Sequence, residues 1–298
     1  MPKPADPVRE RVLEESHGNP LALIESGAAQ EAGHHDLAEQ VGPLLVTGRV
    51  QEAFRAQLAG LPDATRAALL AAAADGAASL DVVLRVAARL GVGPADLAPA
   101  EQAHLITVAD RALTFRHPLI RAAAYQLPPH HQRAVVHEQF AREWADNGHL
   151  DRRAWHLAAA ATGPDEEVAD ELERTALRAQ YRGGAMAVSA AYDRAARLSI
   201  DGGRKATRLS LAAQAEQAAF DAGRADRAAR PAAEAESYAD DPRIKAEAMF
   251  VRAQVEYDRT SPAADAELAM PRPDSYRPRT WRQRRWCMHS LYGTLESR

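Results

Sequence analysis

The side chains best suited to chemistry in this 298-residue chain are its eleven histidines and one cysteine, Cys287, and their spacing restricts what they can do. His34-His35, His130-His131 and His137 fall into no His-Glu-x-x-His pattern, and a lone cysteine cannot complete a zinc set, so they read as surface residues with no metal site. No Gly-x-Ser-x-Gly elbow and no Gly-Lys-Ser/Thr step occurs, which removes a serine nucleophile and a phosphate-cradling loop. No catalytic residue is assigned, and the chain is not expected to be an enzyme. That leaves His117, in the stretch LTFRHPLIRAAAY at 113–125, placed where a short strand turns into a helix. On spacing alone it reads as an ordinary residue of that corner, with a contact to a bound group as the other reading.

The elements around His117 can be taken from the pattern. Leu113 and Phe115 point to one side and Thr114 and Arg116 to the other, the period of a half-buried strand. Pro118 suits the first turn of a helix, where its missing N–H costs nothing. A preceding apolar run at 105–108, joined through turn residues around Asp110, completes a hairpin. Upstream, Val50, Phe54 and Leu58 recur four apart on one helix, Asp63 can cap a second, and Ser79 can cap a third that ends at Gly91. Helices, a hairpin and a further helix make a winged-helix-like domain over 46–127. Its candidate recognition helix offers only Arg85 and Arg89, offset by Asp81, too few cations for the phosphate contacts that dominate DNA affinity.

Composition supports a mostly α chain: hydrophobic residues are 46%, aromatics only 5%, and alanine supplies much of the difference. A net charge of −4 gives no field toward DNA or an anionic membrane, and a single cysteine fits a reducing cytoplasm. No apolar run approaches membrane-spanning length; the alanines at 71–74 are stopped by Asp75 and Gly76. Beyond Pro128-Pro129 helices are expected from His130 and around Trp155. Gly184 and Gly223 then each precede an alanine-rich helix, 39 residues apart, with a long helix at 205–222 between them. That period predicts a tetratricopeptide-like array over 128–259, in which Pro231 should shorten or kink the second copy. Residues 260–298 are rich in Pro and Arg with Trp281 and Trp286 interleaved, and are expected to be a poorly ordered tail.

Three motifs, GNPLAL at 18–23, FRHPLIRAAAY at 115–125 and DRRAWHLAAAA at 151–161, stand in the order and spacing found in large ATP-binding LuxR-family transcriptional regulators. The resemblance covers about 8–258. Members of that family are similar to STAND-class ATPases, with an AAA-like nucleotide domain, a winged helix, a tetratricopeptide-like sensor array and a C-terminal helix-turn-helix. The resemblance implies that 1–45 is a remnant of the nucleotide-domain lid, that Pro20 matches the proline lying against adenine, and that His117 matches the histidine reaching the phosphates of bound ADP. It further implies signal-dependent transcriptional control, with ATP or ADP bound only in the full-length context, an inducer or protein partner on the array, and DNA contacted only through a domain outside this chain. The alternative expectation is a free-standing helical scaffold that binds a protein or peptide.

Overall fold

A computed structural model describes residues 49–76, 79–218 and 225–260; Pro20, Gly223 and the Pro/Arg-rich stretch lie outside the described residues. Among the described residues the chain is mostly helical, with one small two-stranded antiparallel sheet. Helices α1 (Arg49–Ala59), α2 (Asp63–Ala74) and α3 (Leu80–Arg89) lead through a 3-10 turn (Pro94–Leu97) and the short α4 (Ala98–Gln102) to the hairpin. Strands β1 (Ile106–Ala109) and β2 (Ala112–Phe115) pair with Ile106 opposite Phe115 and Ala109 opposite Ala112. Asp110 and Arg111, with φ of 51° and 63°, form the two-residue turn whose twist suits a tight hairpin. Leu113 and Phe115 pack on the core while Thr114 and Arg116 face solvent, so the alternation in the sequence is realised.

α5 (Pro118–Gln126), α6 (His130–Asp146) and α7 (Leu150–Ala160) follow, then α8 (Glu166–Tyr181), α9 (Ala185–Leu198), α10 (Gly202–Ala218), α11 (Ala225–Tyr238) and α12 (Pro242–Thr260). From α8 to α12 each helix packs against the next. Polar ties also reach the next helix but one. Arg208 of α10 is buried and bonds Glu166, Asp170 and Glu173 of α8. Arg230 of α11 reaches Asp193 of α9, and Gln214 of α10 reaches Glu247 of α12. Asp165 caps α8 through the Val168 N–H and donates its own N–H to the Leu198 carbonyl, fastening the end of α9 to the start of α8. α11 runs through Pro231, which is buried within it.

Two large hydrophobic cores divide the described residues. The first joins α1 to α5 and the hairpin, and takes Val136, Phe140 and Trp144 from α6. The second begins with Ala154, Trp155 and Ala158 of α7 and continues through α8, α9 and α10. The helix starts differ from the sequence reading in detail. Asp63 is the first residue of α2, whose cap is Pro62, and its carboxylate pairs with Arg66; Ser79 is the cap residue of α3 as expected, though its side chain makes no cap bond.

Helix ends are closed by a recurring pair of bonds. After α3 the Val92 N–H reaches the Ala87 carbonyl and the Gly91 N–H reaches that of Ala88, with Gly91 at φ 77°. After α4 the same two bonds form from Leu105 and His104, but here a histidine occupies the left-handed position at φ 54°. Replacing His104 with Gly is therefore expected to stabilise the fold by ~0.5–1 kcal/mol, and Gly91→Ala to destabilise it by ~1 kcal/mol. Thermal melting of the two variants should show shifts of opposite sign; shifts of the same sign would contradict this.

Candidate functional site

His117 stands where the sequence places it, between the end of β2 and the first turn of α5. The Arg116 N–H bonds the Leu105 carbonyl, which carries the hairpin pairing up to the corner. His117 itself is extended, with φ −144°, and is the N-cap of α5. The backbone N–H of Leu119 donates to its Nδ1 at 3.1 Å, a cap made by an imidazole where Ser, Asp or Asn is usual. Because Nδ1 is the acceptor, the neutral ring carries its proton on Nε2 and is a donor through that atom. The ring is half-buried and lies 5.7 Å from that of Phe54, in the small cluster that Phe54 forms with Leu119 and Ala122. The corner is held from the far side as well. Arg121 of α5 donates through Nε and a terminal nitrogen to the Ala73 carbonyl at 3.2 and 3.1 Å. A Cβ at Gly76 would meet that guanidinium at 2.5 Å, so any other residue there would push the Arg121 side chain from its place.

The same end of α2 organises a second polar cluster that the sequence reading does not anticipate. Asp75, at the C-cap of α2, accepts from Trp144 Nε1 of α6 at 3.0 Å and from Arg152 of α7 at 2.9 Å. His156 of α7 lies 3.2 Å from the same Asp75 oxygen as Trp144, through Nε2. The Nδ1 atoms of His156 and His137 are 2.9 Å apart, and His137 Nε2 is 2.8 Å from the Tyr125 hydroxyl. Phe140 stacks on His156 at 4.8 Å, and the Arg152 guanidinium lies over the Trp144 ring at 4.0 Å. The expectation that His137 is a surface residue is therefore corrected: its exposure is 0%, and that of His156 is 1%. His137 lies on the face of α6 that carries Phe140 and Trp144, so packing the helix takes it inside.

Donor and acceptor roles along this cluster follow by elimination. Asp75 already accepts from Trp144 and from the Arg152 guanidinium, so His156 bonds it as a further donor, with its proton on Nε2. A neutral His156 then offers a lone pair at Nδ1, which His137 fills with its own Nδ1–H. His137 Nε2 is left to accept from the Tyr125 hydroxyl. Every bond points from Tyr125 toward Asp75. Burial holds both histidines below their ordinary range. His137 is lowered from 6.5 to about 3 by desolvation first, with the neighbouring His156 adding to it. His156 is lowered by desolvation against the opposing pull of Asp75.

Arg85 and Arg89 of α3 both engage Glu143 of α6, so the cations of that helix are committed to a buried carboxylate. A groove of about 620 Å³ lies between α2 and the start of α6, walled by Leu70, Leu127, Pro129 and Val136; its Arg66 is held by Asp63 and the Leu61 carbonyl. Among the described residues no group of three or more His, Cys, Asp or Glu is placed to hold a metal ion, and no helix is long and apolar enough to cross a membrane. No protein-family model, curated protein or solved structure matches this chain.

Proposed function

We propose that this chain is the switch and the start of the sensor array of a LuxR-family, STAND-type transcriptional regulator. In this reading α1 to α5 and the hairpin act as the winged helix, and the helices from α6 onward as the tetratricopeptide-like array. The observation that carries the proposal is the setting of His117. It is fixed by its own cap bond at a strand-to-helix corner, with its ring proton directed to Nε2. A donor held so rigidly can make a charge-assisted bond to a phosphate oxygen, worth on the order of 1.5–3 kcal/mol, enough to bias a closed, ADP-bound state. Exchange of ADP for ATP would weaken that bond and free the winged helix. The chain alone is expected to hold neither nucleotide, since the phosphate loop of the family has no counterpart in it. Pro20 is proposed as the adenine contact. The array would take an inducer or a protein, and DNA would be bound by a helix-turn-helix region of the whole regulator.

The geometry also decides how to test it. His117→Ala removes both the imidazole and the cap, and loss of an N-cap costs about 1 kcal/mol, so a phenotype of that variant confuses fold with switch. His117→Asn keeps an Asx cap for Leu119 while taking away the imidazole Nε2–H that would reach phosphate. In the complete regulator, His117→Asn is expected to raise inducer-independent reporter transcription roughly ten-fold, the shift for a lost bond of about 1.4 kcal/mol. Basal transcription at the wild-type level, with a stably folded variant, would overturn the switch role.

A further inference from the structure

The polar chain of Tyr125, His137, His156 and Asp75 starts at Tyr125 in the first hydrophobic core and runs toward the second, its two histidines and Asp75 belonging to neither. Asp75 and Tyr125 come from α2 and α5 on the first core, and His156 from α7, where the second core begins. His137 sits on α6, which turns Phe140 and Trp144 to the first core and the histidine toward α7. A purely apolar contact here would hold the two cores together at any pH. This one depends on a particular set of protons.

We propose that this chain is an acid-released joint, which holds the α1 to α6 unit against the array while both imidazoles are neutral and lets the two move apart when they take up protons. The inference is independent of the family reading above. Its basis is the short contact between two Nδ1 atoms, 2.9 Å apart, which requires one proton between them and only one. A single added proton can be accommodated by turning the chain round. His156 Nδ1–H then donates to His137, whose Nε2–H donates to the Tyr125 oxygen, and an imidazolium is left beside Asp75. A second proton sets two N–H groups facing each other and two cations in contact, in a site with almost no water access.

The groups facing the pair favour release over retention. From α6, His137 has Arg133 and His130 as further cations, and from α5 the neutral Tyr125 hydroxyl. From α7, Arg152 lies beside His156, and it already shares the carboxylate of Asp75. Phe140 and Trp144 supply no charge. Opening the joint hydrates both imidazoles and returns them to their ordinary affinity for protons, so acid draws the equilibrium toward the open form.

The experiment uses the full chain with Cys287→Ser and a pair of spin labels or fluorophores at Ala88→Cys in α3 and Ala233→Cys in α11, both on exposed positions. Lowering the pH from about 7.5 to about 4.5 is expected to lengthen the label distance while far-ultraviolet circular dichroism keeps its helical signal. His137→Gln, which cannot protonate there, is expected to suppress the change. Should that variant fail to fold, Tyr125→Phe serves instead. It keeps both imidazoles but removes the donor that favours neutral His137, and should move the transition up by roughly 0.5 pH unit or more. A distance that stays constant over this range, a change that coincides with loss of helix, or a transition unmoved in whichever of these variants folds would overturn the joint.

Discussion

Asp75→Ala is expected to cost about 3–5 kcal/mol of stability, the range for stripping the partner from a buried, hydrogen-bonded charge. Asp75 is 8% exposed and receives donors from Trp144, Arg152 and His156. Arg152 is about one-third exposed and can turn to water, so its share of the loss is small. Trp144 Nε1 and His156 Nε2 have no such escape, and both would be left buried without an acceptor. Asp75→Asn keeps one carbonyl oxygen and should lose less, about 1–2 kcal/mol. Urea unfolding of the three chains measures the differences directly; an Asp75→Ala chain within about 0.5 kcal/mol of wild type would mean that the cluster is not a fastening.

Stability is also expected to fall steeply on mild acidification, from the same residues. Both His137 and His156 have native values below the unfolded value of 6.5, so between those limits the unfolded chain binds more protons. Their contribution is complete above pH 6.5 and is lost as the pH falls toward about 3, the native value of His137. While both native histidines stay neutral, each costs about 1.4 kcal/mol per pH unit in that window. Against the upward push of burial, the carboxylate of Asp151 is held low by Arg182 and Arg178, and that of Glu166 by the Ile200 N–H and then Arg208 and Arg204; both act in the same sense but only at lower pH. Urea midpoints taken between about pH 7.5 and about pH 5 should therefore drop in wild type and change far less in a chain lacking both imidazoles. A flat profile in wild type would contradict the protonation states assigned above.

How much of this was legible in the sequence differs between the two sites. The hairpin and the corner at His117 are local: alternation of Leu113 and Phe115, a two-residue turn at Asp110 and Arg111, and a proline at the first helical position fix them within a dozen residues. The Nδ1 cap on Leu119 is equally local, yet nothing in the residue type announces it, because histidine is not a usual N-cap. The buried cluster is assembled from four separate helices, with Asp75 bonded to residues 69 and 81 positions away. In sequence Asp75 reads only as the residue that stops an alanine run. A signal did exist. His137, Phe140 and Trp144 recur at helical spacing, and His156 is embedded among Trp155, Leu157 and the alanines of α7, so both histidines fall on faces that pack. What the pattern cannot supply is that the two faces meet. The order of helices from α8 to α12 follows from their length and short connections, whereas the ties through Arg208 and Arg230 depend on which helix lies two places on.

The proposed function turns on whether His117 touches the nucleotide, and the affinity of the complete regulator for ADP measures that contact most directly. His117→Asn, with the α5 cap preserved, is expected to weaken ADP binding ten-fold or more, as loss of a charge-assisted bond of about 1.4 kcal/mol or above requires, and to affect ATP much less. Equal ADP affinity in wild type and His117→Asn, with the same melting temperature, would contradict the account and leave His117 as the cap of a helix and nothing more.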